Sequence, residues 1–283
     1  MMFFGVVSVP ISATEVNVEH RELKYFKSIE NKSPHAYGAI RITLNGQYIS
    51  APSYLINETT YIPLRAAVTL AGAQVTYDPA TRVATVVTEG LNMEVSDGAY
   101  VTMANGRALL SSTPSVILDD GKMYIPIRIL AKALGLEVVW DPKGAVDLSG
   151  RVKPLKNAEE YYRSDELYWL SRIISAESRG EPLLGQIAVG NVVRNRVAHK
   201  DYPNTIYGVI FDRKYGVQFS PVQNGSIYMT PTYSSVIAAK ICREGVSVSD
   251  KLLFFMEPRA STSGWIAENR PYAFTIGNHY FFY

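Results

Sequence analysis

The sequence predicts an α+β protein in two parts, a repeated strand, helix and hairpin domain followed by an α-rich one, and three observations predict it. A turn-and-Tyr-Ile-Pro pattern occurs twice in the first half. The pattern stops at a polar stretch near Arg151. Beyond that stretch, apolar residues advance by three and then four, the period of a helix with one buried face.

Composition permits two domains with cores: 283 residues are 47% hydrophobic and 19% charged, with a net charge of +2. That charge suits an anionic polymer such as a cell wall without requiring one, and no basic block argues for nucleic acid. The single cysteine, Cys242, lies among Ile237, Ala238, Ala239 and Ile241 and reads as a buried thiol. The four histidines, His20, His35, His199 and His279, are far apart and lack His-x-x-x-His spacing. Neither a zinc site nor any other cofactor is expected, which counts against amidase chemistry.

Residues 1–13 are apolar and end in small residues suited to signal-peptide cleavage, but lack a basic start and are too short to span a bilayer. They read as a trimmed export signal, or else a first strand. Residues 14–35 read as a polar spacer.

The repeat occupies residues 36–150. Tyr61-Ile62-Pro63-Leu64-Arg65 leads through Gly72 and Val75 to Tyr77-Asp78-Pro79, and Tyr124-Ile125-Pro126-Ile127-Arg128 leads through Gly135 and Val138 to Trp140-Asp141-Pro142. Asn45-Gly46 and Asn105-Gly106 stand ahead as hairpin turns. Each copy reads as strands, a short helix opened by Pro at its first position, then a hairpin over Asp-Pro. These copies resemble the copper amine oxidase N-terminal-like stalk domains of exported Gram-positive proteins, although no copper ligands are visible. The resemblance implies a spacer or docking module, with wall or coat proteins as contacts.

Residues 151–163 read as a linker and 164–283 as the second domain. Ser164 or Asp165 can cap a helix running to about Ser178, and Gly180 can end it in a left-handed conformation. Pro182 opens a second helix from Leu183 to about His199, apolar on most sides and so central. Thr230 and Pro231 open a third, which Gly245 stops. Loops join the second and third helices, and short strands and turns close the chain.

Leu167, Leu170 and Ile174 mark the buried stripe of the first of these helices, and Glu177 is its next member. A charged, unpaired carboxylate there costs several kcal/mol. Glu177 is therefore either a structural acid partnered by Arg172, Arg194 or Arg196, or a general acid whose pKa is raised by apolar surroundings. Glu181, four residues on, can interact with the start of the second helix or serve as a second carboxylate flanking a glycosidic bond.

Residues 173–196, reading I-I-S-A-E-S-R-G-E-P-L-L-G-Q-I-A-V-G-N-V-V-R-N-R, resemble the signature of the SleB-type cell-wall hydrolases, the spore cortex-lytic family. Tyr202-Pro203-Asn204-Thr205, Gln218-Phe219-Ser220 and Ile276-Gly277-Asn278-His279-Tyr280-Phe281 agree in order. The resemblance implies a lysozyme-like α+β domain that cuts the β-1,4 bond between N-acetylmuramic acid and N-acetylglucosamine as a lytic transglycosylase. Glu177 matches the single catalytic Glu, acid and then base while the muramic 6-hydroxyl closes an anhydro ring. Besides Glu181, substrate binding is expected of Gln218, Phe219, Ser220, Trp265 and His279, although Phe219 and His279 also read as core residues. The expected partner is peptidoglycan and the expected place secreted, at the wall or spore. The alternatives are an N-acetylmuramoyl-L-alanine amidase, a muramidase, or a non-catalytic wall-binding scaffold.

Overall fold

The computed structural model describes residues 39–141, 144–214, 216–259 and 264–283. The expected export signal and polar spacer lie outside them. Residues 39–158 and 159–283 form two compact units.

In the first unit, β1 (Ala39–Leu44) and β2 (Gln47–Tyr48) turn at Asn45-Gly46, where both φ angles are positive, 51° and 78°. That is the turn whose twist matches a two-residue hairpin. Strand β3 (Ser53–Ile56) pairs with β4 (Thr59–Pro63), which runs directly into helix α1 (Leu64–Leu70). Next come the hairpin of β5 (Gln74–Asp78) and β6 (Val83–Thr88), then β7 (Leu91–Ser96), β8 (Val101–Ala104) and β9 (Arg107–Leu110). These five make one antiparallel sheet in chain order.

The second copy supplies β10 (Val116–Ile117), β11 (Met123–Pro126), α2 (Ile127–Leu134), β12 (Glu137–Asp141) and β13 (Ala145–Ser149). An eight-stranded sheet runs β10-β11-β4-β3-β1-β13-β12, with β2 beside β1. At its heart β4 and β11 are antiparallel with Ile62 opposite Ile125, the equivalent residues of the two copies. A local twofold axis therefore passes between them, as in a symmetric dimer interface.

Pro63 and Pro126, expected as first helical residues, instead end their strands one place earlier, with φ of −67° and −55°. The fixed proline φ serves both the strand's end and the helix's entry. Tyr61 and Tyr124 are fully buried between the copies. Their hydroxyls donate to Pro114 O at 2.8 Å and Asp120 Oδ2 at 2.9 Å, bonds whose loss would leave a buried donor costing about 1–3 kcal/mol. The first half of the expected linker is tied to this unit: Lys153 N donates to Leu134 O at 2.9 Å and Asn105 Nδ2 to Leu155 O at 2.8 Å.

A short helix, α3 (Ala158–Tyr161), precedes α4 (Ser164–Ser178) and α5 (Leu183–Ala198). Leu184, Ile187, Ala188, Val189, Val192 and Val193 are all buried, so α5 is the central helix its composition predicts. Two five-residue helices follow where loops were expected, α6 (Ile206–Ile210) and α7 (Ser220–Asn224). They are too short to show a period in sequence. After them come α8 (Tyr233–Arg243), β14 (Phe254–Met256), α9 (Trp265–Asn269), β15 (Tyr272–Ile276) and β16 (His279–Phe282). The strands form an antiparallel sheet in the order β14-β16-β15. Among the described residues, no helix is long and apolar enough to cross a membrane.

Helix α8 starts two residues later than expected, capped by Thr232 rather than Thr230. The Thr232 hydroxyl accepts from Ser235 N at 3.3 Å, and Thr232 N is itself held by Ser175 Oγ of α4 at 3.1 Å. Helix α4 covers the expected residues, but its ends are not capped as expected. Arg163 precedes it without a side-chain cap, Arg179 stays right-handed, and Gly180 has no positive φ. The chain turns instead through Glu181 N donating to Ser178 O at 2.9 Å.

Candidate active site

Helices α4, α5 and α8 meet at Gly190. A Cβ there would stand 2.7 Å from Cys242 Sγ and 2.8 Å from Ile174 Cδ1, so only glycine allows this approach. Burial pushes the Cys242 thiol up to about 12, which keeps it inert packing. Ile174 is fully buried, and one turn further along α4 stands Glu177.

Glu177 is partly exposed and makes no hydrogen bond or ion pair with any described residue. Burial pushes its carboxyl up from 4.5 to about 7, against an opposing pull from the Arg196 guanidinium. Desolvation wins because Arg196 is not in ion-pair contact with it. Among the arginines read as structural partners, Arg196 is the one whose charge acts on Glu177. Its Nε donates to Leu253 O at 2.8 Å, and its guanidinium lies 5.1 Å from the Tyr202 ring, 5.3 Å from Phe219 and 5.4 Å from Phe254. Arg196 Nη1 is buried without a hydrogen-bond partner among the described residues. The arrangement can present a protonated carboxyl near neutral pH and then stabilise it as an anion.

Glu181 has the opposite surroundings. Its side chain is 6% exposed, with Oε2 accepting from Asn278 N and Oε1 from Asn278 Nδ2, both at 2.9 Å. His279 Nδ1 stands 3.7 Å away. A Cβ at Gly277, whose φ is +58°, would collide with Oε2. Both oxygens of Glu181, a residue expected to bind substrate, are thus engaged by the turn between β15 and β16.

Two other expected binding residues are buried. Phe219 is 3% exposed, packed against Phe255 at 6.3 Å and under the Arg196 guanidinium, so it is core and not a platform. His279 is 4% exposed, its ring 5.5 Å from Phe255. Gln218 is half-buried, its Nε2 donating to Gly216 O at 3.3 Å. Ser220 is exposed at the start of α7, which packs against α4 and so lies on the Glu177 helix. Trp265, half exposed, opens α9 with the Arg270 guanidinium 5.2 Å from its ring.

Sequence reasoning missed an aromatic cluster on α4 and α6. The Trp169 ring lies 5.4 Å from Tyr207, 5.1 Å from Phe211 and 6.2 Å from Tyr228. The available signal was the Tyr168-Trp169 pair, which falls off the apolar stripe. It also missed the anchoring of the segment before β14: Asn191 Nδ2 donates to Val246 O at 3.0 Å and Asn195 Nδ2 to Leu252 O at 3.0 Å. No periodicity marks such polar anchors.

A family model described as cell wall hydrolase matches residues 180–282, and one described as copper amine oxidase N-terminal domain matches residues 43–146. The cell wall hydrolase CwlJ of Oceanobacillus iheyensis is 31% identical over 36% of this chain and 77% of its own length. The chain belongs to the cell wall hydrolase family. A spore cortex-lytic enzyme of Bacillus cereus is 36% identical over 44% of this chain and 47% of its own. The chain thus spans about half the length of the spore cortex-lytic relatives it matches. The catalytic domain of the germination-specific lytic transglycosylase SleB from Bacillus anthracis is 36% identical over 43% of this chain and 97% of that one, with a TM-score of 0.39. The family match begins at Gly180, so the case for Glu177 rests on its own surroundings.

Proposed function

We propose that the C-terminal unit cleaves the glycan strand of peptidoglycan at the bond between N-acetylmuramic acid and N-acetylglucosamine, as a lytic transglycosylase with Glu177 as its single acid and base. One observation carries this reading: a carboxyl with no ion pair among the described residues, partly open to solvent, whose protonated form persists to a pKa of about 7. Glu177 gives its proton to the leaving sugar oxygen. It then takes one from the muramic 6-hydroxyl as that oxygen bonds to the anomeric carbon and closes the anhydro ring. Between the two steps Glu177 is an anion, and the Arg196 charge stabilises it. Ser220, on the helix α7 packed against α4, and Gln218 just before it would hold acetamido or hydroxyl groups. A single-carboxylate mechanism also fits the engagement of Glu181 by Asn278.

The relatives named for spore cortex lysis make the spore cortex or cell wall the proposed place of action. The test is turbidity loss of purified peptidoglycan with mass spectrometry of the products. Anhydro-muramic ends and an inactive, folded Glu177→Gln variant are expected. Reducing muramic ends would make the protein a muramidase, free peptides an amidase. Full lysis by the variant would remove Glu177 from the mechanism.

A further inference from the structure

The two copies in the N-terminal unit each build a groove, and the grooves use equivalent residues. The first has a volume of about 630 Å³ and the second about 360 Å³, within the range of small-ligand sites. Leu64 and Val75 line the first where Ile127 and Val138 line the second. Arg65 is matched by Arg128, and Tyr77 by Trp140. The far wall is exchanged between copies: Lys122 of the second copy closes the first groove, and Thr59 of the first copy closes the second. This exchange follows from the twofold relation at Ile62 and Ile125.

What recurs is an apolar floor, an exposed aromatic ring and an arginine. Tyr77 is 38% exposed and Trp140 55%, so a face of each ring is open to a ligand. Arg65 and Arg128 are exposed and form no ion pair with any described residue. Neither feature is needed by the core, yet both occur twice at the same places. A sugar ring with a short acidic peptide attached satisfies both, the apolar face of the sugar on the aromatic ring and a peptide carboxylate on the guanidinium fork.

We infer that these paired grooves bind peptidoglycan, each taking a muramic acid unit by its sugar face and a carboxylate of the peptide attached to it. The choice of polymer rests on the function proposed above. Two equivalent sites on one rigid unit suit a strand that presents the same group at every repeat, because engaging one raises the effective concentration at the other. The first groove is the stronger. It is larger, while Glu58 on the wall of the second opposes an anion.

The test is co-sedimentation of the full chain, carrying Glu177→Gln, with purified peptidoglycan stripped of teichoic acid. Arg65→Ala with Tyr77→Ala is expected to weaken binding about tenfold, Arg128→Ala with Trp140→Ala by less, and all four together by more than either pair, leaving only the binding of the C-terminal unit. In chains retaining Glu177, all these variants are expected to cleave short soluble glycan at the parental rate. Undiminished wall binding by the fourfold variant, or binding to purified teichoic acid alone, would overturn the inference. Because sedimentation is read without catalysis, it stands or falls independently of the role of Glu177.

Discussion

The last turn of α4 and the break before α5 each hold a glutamate, four residues apart, and the fold treats them in opposite ways. Glu177 is desolvated by burial and has no hydrogen-bond or ion-pair partner among the described residues. Glu181 receives two hydrogen bonds from Asn278 and a nearby His279. The difference teaches that a buried carboxylate is structural when donors converge on it and chemically available when they do not.

The largest expected consequence is on activity. Glu177→Gln should lower lysis of purified peptidoglycan by about 10²–10⁴-fold, the usual worth of a general acid, whereas Glu181→Gln should cost less than about tenfold. Equal losses measured side by side would erase the distinction between the two. Next is the turn that Glu181 holds: Gly277→Ala combines a positive φ with a collision at Glu181 Oε2, and should lower stability by more than about 3 kcal/mol in urea denaturation.

A pH series sharpens the contrast. The folded Glu177 carboxyl, at about 7, lies above its ordinary 4.5, so between those values the folded state binds the extra proton and stability falls as pH rises. A shift of that size is worth roughly 3 kcal/mol. Glu177→Gln should therefore be more stable than the parent at pH 8 by about that amount and indistinguishable from it below pH 4, as followed by thermal melts. Lysis by the parent should decline as pH rises through 7. The smallest effect belongs to Glu181→Ala, which strands the Asn278 donors and should cost about 1–3 kcal/mol at neutral pH. A stabilising Glu181→Ala would mean that Asn278 is not holding the turn.

Much of this was legible in the chain. The doubled Tyr-Ile-Pro pattern and the Asn-Gly turns announced the repeat, because proline and doubly positive φ are local demands that few residues meet. The run of Leu170, Ile174 and Glu177 announced the odd carboxylate, because helical period is set by the backbone alone. The surroundings of Glu181, Phe219 and His279 were not legible for a common reason: their partners, Asn278, Arg196 and Phe255, lie elsewhere in sequence.

By itself, the sequence determined where the longer helices and the Asn-Gly hairpin turns form, since both follow from neighbours a few residues away. Tertiary structure alone decided which glutamate stays without a partner, and that two grooves share walls across a local twofold axis. Charge state and groove shape depend on how far apart atoms lie in space, and that distance exists only once distant segments have packed.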